Sequence, residues 1–139
     1  HPLCRRQRQM CIRDSPRSVD INQRPLTLLA DAPGVAWATF STLCEEPRSA
    51  VDYVEMAREY HTVLIEQIPL LDRDKEDEAR RFINLVDEFY DRNVKLIATA
   101  ARAPEALYGG SKLRFEFDRT VSRLQEMRTQ EYLKTEHRP

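Results

Sequence analysis

The sequence predicts an α/β fold, a partial parallel sheet with flanking helices. Short apolar runs rich in β-branched residues alternate with longer segments whose apolar residues recur every three or four positions. The joints between them are short, and strand, helix, strand, helix, strand in that order calls for right-handed crossovers and parallel strands. At 139 residues and 16.3 kDa the chain suits one buried core and not two.

The first fifteen residues stand apart. They carry no helical or strand period, yet hold Arg5, Arg6, Arg8 and Arg13 and two of the three cysteines. Residues 1–15 read as a non-native or disordered segment, of the kind that adapter read-through leaves at the ends of assembled genes. A nucleic-acid-binding arm has weak support, because no aromatics interleave the arginines. Without this segment, residues 16–139 carry 18 basic against 22 acidic side chains. A mildly acidic body disfavours nucleic acid.

The body resolves into elements in order. Val35 to Leu43 places large apolar residues around small ones, which predicts a strand running into a turn at 45–47. Ser49 with Asp52 three places on resembles a capping box, so a helix is expected from about 50 to 60. Thr62-Val63-Leu64-Ile65 and Ile68, closed by Pro69, read as a strand buried on both faces. After a charged joint at 72–77, Ala79, Phe82, Ile83, Val86, Phe89 and Tyr90 keep a helical rhythm without a miss. Asn93 suits a left-handed cap, and residues 94–100 begin a third strand at once. Pro104 to Tyr108 suggests one helical turn. Gly109-Gly110 breaks the chain, and Phe117, Val121, Leu124 and Met127 mark a last helix running to about 133.

Glycine gives the sharpest functional exclusion. Gly34, Gly109 and Gly110 are the only three in the chain, and neither G-x-x-x-x-G-K-[ST] nor G-x-G-x-x-G can be written from them. No apolar run reaches the roughly 18 residues of a membrane span, and no secretory signal is visible at the N-terminus, so a cytoplasmic protein is expected. Cys4, Cys11 and Cys44 form no C-x-x-C pair and have only His1, His61 and His137 for company. No metal site is expected from them, and reduced thiols are.

The residues that could carry chemistry each have an ordinary reading beside the functional one. Asp87-Glu88 copies the Asp-Glu ending of magnesium-binding strands, but the surrounding period of 3.6 puts both on the solvated flank of a helix. His61 sits at a helix-to-strand joint and reads as a packing or capping residue, and Cys44 lacks a histidine partner. Residues 99–108 would lie beyond the carboxyl end of a parallel strand, where ligands gather. Gly109-Gly110-Ser111-Lys112 could nest an anion or form a plain turn. Arg114, Arg119 and Arg123 are suited to a γ-phosphate held elsewhere, or to a basic face paired with Glu116, Asp118 and Glu126.

Longer runs carry a resemblance. Pro47 to Tyr53, His61 to Leu64, Glu78 to Leu96, Phe115 to Met127 and Glu131 to His137, entered through Ile21 to Leu26, resemble in order the C-terminal third of the ZapE family of bacterial cell-division ATPases, which also takes in a mitochondrial lactation-elevated ATPase. The resemblance implies the C-terminal part of an AAA+-like P-loop fold, and an intact protein using ATP and magnesium to destabilise polymers of the tubulin-like division-ring protein FtsZ. It also implies that the phosphate loop and the magnesium-binding strand lie outside this chain. The fragment is then expected to bind no cofactor tightly and to hydrolyse no ATP alone. By position in Phe117-Asp118-Arg119-Thr120-Val121-Ser122-Arg123-Leu124, Arg119 and Arg123 are the candidates for an arginine finger or sensor. A non-catalytic protein-interaction module is the alternative. The partners expected are FtsZ or other division proteins and the missing half of the same ATPase domain. A sheet made to continue into that half should leave a strand edge or an apolar helix face uncovered.

Overall fold

A computed structural model describes residues 17–129, apart from residues 22 and 47. The segment 1–15 and the end of the last expected helix lie outside them. Six strands and four helices follow one another as β1 (Arg17–Ile21), β2 (Arg24–Leu28), β3 (Ala30–Ala32), β4 (Val35–Thr39), α1 (Ala50–Glu59), β5 (Thr62–Ile68), α2 (Glu76–Asp91), β6 (Lys95–Ala100), α3 (Pro104–Leu107) and α4 (Arg114–Met127). The α/β class and the parallel set β4, β5, β6 stand as expected, with α1 and α2 as the crossovers.

Two corrections apply at the N-terminal end. The sheet is mixed, in the order β3-β4-β5-β6, because β3 folds back antiparallel on β4 through the Pro33-Gly34 turn. Gly34 has φ 77°, a left-handed conformation open to glycine at low cost, and the His61 ring occupies the space a side chain there would need. A separate antiparallel pair, β1 with β2, precedes it and buries Ile21, Leu26 and Leu28.

The expected strand to Leu43 stops at Thr39, and Ser41–Glu45 turns as a single π-helical segment. Side chains hold its carbonyls. Tyr53 Oη donates to Leu43 O at 2.7 Å, Arg48 Nε to Thr42 O at 2.9 Å, and Arg81 Nη1 to Cys44 O at 2.8 Å. These donors arrive from α1, α2 and the residues just before α1, so tertiary contacts override a β-like local sequence.

The helices hold as read. The backbone N–H of Ser49 donates to Asp52 Oδ2 at 3.1 Å, which closes the capping box, and Asp52 is fully buried. Helix α2 carries Glu76, Asp77 and Glu78 in its first turn, where the helix dipole favours anions, and buries Ala79, Phe82, Ile83, Leu85, Val86 and Phe89. Asn93 caps its end at φ 56°. An aromatic chain runs through the core. Phe40 meets Phe82 at 6.0 Å, Phe82 meets Phe117 at 6.3 Å, and Phe117 stacks on Tyr108 at 5.1 Å. It ties the end of β4 to α2, α4 and the loop after α3.

Candidate functional site

The predicted site arginines lie on α4 one turn apart, and both turn toward α2. Arg119 Nη2 donates to Asp87 Oδ2 at 3.1 Å, and Arg123 Nη1 donates to Asp87 Oδ1. The Arg123 guanidinium also lies 5.0 Å from the ring centre of Tyr90, whose hydroxyl donates to Glu126. That bond holds the Tyr90 phenol above its usual acidity range. The ordinary reading of these arginines named Glu116, Asp118 and Glu126 as partners; Asp87 is the one that pairs with both. Arg114 takes Asp118 at 3.7 Å and lies over the ring of Tyr108.

Burial grades the two arginines. The Arg119 side chain is 47% exposed and that of Arg123 26%, against 24% for Asp87. Asp87 and Glu88 do sit on a helix flank as expected, and Glu88 pairs with Arg92 at 3.8 Å. Asp87 joins two helices.

The turn Gly109-Gly110-Ser111-Lys112 already faces an anion, the carboxylate of Glu76. Ser111 N–H donates to Glu76 Oε1 at 3.3 Å, and the buried Tyr108 hydroxyl stands 2.9 and 2.8 Å from the two carboxylate oxygens. The same hydroxyl accepts the buried Leu113 N–H at 2.8 Å. A side chain at Gly110 would meet that carboxylate, which would have to move aside. An external phosphate would meet a negative charge, so this turn does not fit one.

Of the remaining candidates, Cys44 is buried, and loss of hydration pushes its thiol up to about 12 against an opposing hydrogen bond from Tyr53. A thiol held neutral in this way is no nucleophile. His61 is exposed, bonds Thr62 Oγ1 through Nδ1 at 2.8 Å, and lays its ring beside Gly34. Thr99 accepts the Gln67 N–H at 3.0 Å and steadies the irregularity where Gln67 takes φ 63°. Its neighbours do form a cavity, of about 810 Å³, between β6, α3 and α4, lined by Ile68, Phe82, Leu96, Ala98, Leu107 and Leu124 among others. Arg102 and Arg128 stand on its rim. Six of its lining residues, Ala100 to Pro104 and Leu107, fall in the 99–108 stretch singled out in the sequence, while the share contributed by α4 depends on packing between distant segments.

Among the described residues, no group of three His, Cys, Asp or Glu side chains could hold a metal ion, and no helix is long and apolar enough to cross a membrane.

The mixed sheet with helical crossovers defines an α/β protein whose charged cluster joins two helices. A profile of the AFG1-like ATPase family matches residues 5–136, and the chain belongs to that family. It is similar to the cell division protein ZapE of Escherichia coli, with 46% identity over 125 residues covering 90% of this chain and 33% of that relative. The lactation elevated protein 1 homolog B of Danio rerio is 32% identical over 149 residues, covering 84% of this chain and 30% of the relative. The chain thus spans about a third of the length of the curated relatives it matches. No solved structure matches it significantly.

Proposed function

We propose that the chain is the C-terminal portion of a ZapE-like ATPase that couples ATP binding and hydrolysis to the destabilisation of FtsZ polymers in the cytoplasm. Family membership supports the ATPase class, and the name of the E. coli relative supports a role in division. The intact protein uses ATP and magnesium. The residues of this chain do not fit a phosphate site: no phosphate-loop motif can be written from its three glycines, and the one glycine-rich turn faces Glu76. Hydrolysis by this portion alone is therefore not expected.

Within the intact protein, Arg119 is the candidate finger and Arg123 the candidate sensor. The observation that carries this assignment is the contrast in exposure: Arg119 leaves nearly half its side chain free beyond its pair with Asp87, while Arg123 is held between Asp87 and the Tyr90 ring. An arginine on a transferring phosphoryl group contributes roughly 10³ to 10⁵ in kcat. In a protein restored to full length, Arg119→Ala should cut ATP turnover by about that range and Arg119→Lys should recover little, with thermal unfolding checked beside it. Turnover within about threefold of the parent would remove the role.

The second reading, a non-catalytic interaction module, draws on the open apolar cavity beside β6. Capture of FtsZ by the chain with no response to added nucleotide would favour it.

A further inference from the structure

Strand β6 is built for burial and does not receive it. Its residues are apolar or small, Lys95-Leu96-Ile97-Ala98-Thr99-Ala100, yet the last four are exposed and Ile97 is 57% accessible. Parallel sheets occur almost only with both faces covered. Among the described residues β6 pairs with β5 alone. Lys95 N–H bonds His61 O, and by the two-residue period of a strand the N–H groups of Leu96, Ala98 and Ala100 point to the unoccupied edge. Along this strand the cavity is lined by Leu96, Ile97, Ala98 and Ala100. Ile97 also continues a row with Leu64 and Trp37, its register partners across three strands.

We infer that the edge of β6 receives a strand from the two thirds of a ZapE-length polypeptide that lie outside this chain, with an apolar segment filling the cavity behind it. Strand addition explains the open edge and apolar filling explains the cavity. Arg102 and Arg128 at the rim set the chemistry of the occupant, an apolar segment with an acidic residue at its end. The length ratio makes the occupant part of the same polypeptide: the relatives run about three times as long as the portion matched. The inference rests on reading the chain as part of a longer family member, and extends that reading to the seam.

The test compares residue-resolved amide exchange in the 139-residue chain with that in full-length E. coli ZapE carrying this chain in place of its matching segment. The amides of Leu96, Ala98 and Ala100 should exchange at least about tenfold more slowly in the chimera, while those of Lys95 and Ile97, already bonded to β5, change little. Ala98→Pro removes one edge donor and should abolish the slowing at its neighbours; Ala98→Ser should keep it. Equal exchange in both proteins overturns the inference. So does protection already present in the isolated chain, whether it grows with concentration, as a second copy would cause, or vanishes on truncation after Thr129, as the chain's own tail would cause. Slowed β6 amides in a chimera without ATP turnover leave the seam standing and sink the ATPase reading; turnover with unprotected amides does the reverse.

Discussion

Asp87→Asn is the perturbation that separates a structural clamp from a decorative ion pair. The substitution keeps the side-chain shape and removes the charge that two guanidinium groups share. A half-exposed partner such as Arg119 sits in well-hydrated surroundings, where pairs are worth about 0.2–0.5 kcal/mol. Arg123 is three-quarters covered, so its pair belongs near the top of the exposed range, about 1 kcal/mol. Its contact with the Tyr90 ring survives the substitution and is not counted. The expected loss is therefore about 1–1.5 kcal/mol, or roughly 3–5 °C in Tm for a domain of this size. Urea unfolding of Asp87→Asn, Arg123→Met and the double variant measures the coupling directly. A coupling near 1 kcal/mol makes the pair a true link between α2 and α4. A value under about 0.3 kcal/mol, the scatter of independent sites, refutes the reasoning and returns Arg123 to the solvated basic face.

The remaining predictions concern the buried polar groups. Tyr108→Phe keeps the stack on Phe117 but strands the Leu113 N–H and takes a donor from Glu76, so urea unfolding should show a loss of about 2 kcal/mol. An unchanged midpoint would mean that water reaches the Leu113 amide. Cys44 should resist thiol reagents at pH 8 in the folded chain and react fully in urea; rapid labelling of Cys44 itself in the native protein, located by peptide mapping, would contradict its burial. Cys44 and Tyr53 both have acidities weakened by burial, so the fold favours their neutral forms. That contribution is complete below about pH 9 and drains as pH rises toward 12, at up to about 1.4 kcal/mol per pH unit per group. Denaturation midpoints flat from pH 9 to 11 would show that neither group is held neutral.

Periodicity made most of the fold legible and failed where the determinants lie far along the chain. Helix α2 and strands β4, β5 and β6 could be read because each pattern repeats within its own window. The β1–β2 pair also has a period of two, in Val19 and Ile21 and again in Leu26 and Leu28, but each strand offers only two large apolar residues and Pro25 interrupts the second. The π-helical segment at 41–45 was illegible for a different reason. Its donors, Arg48, Tyr53 and Arg81, lie up to 37 residues away from the carbonyls they satisfy. The arginines of α4 repeat that lesson. Sequence neighbours offered Glu116, Asp118 and Glu126, while Asp87 lies 32 and 36 residues back and meets both only because α2 and α4 pack together.

Strand β6 inverts the problem. The sequence predicts it as the third strand of a parallel sheet, and it is one, yet four of its six residues are exposed. Composition records the surroundings for which a segment is adapted, and exposure records what surrounds it in the chain at hand. A surface loop shows no such conflict, since its residues suit water already. An edge strand adapted to stand alone would carry the lysines, prolines or inward charges that discourage pairing, and β6 has only Lys95 at its start. That conflict is what the inferred seam would produce, and among the described strands β6 is where it falls.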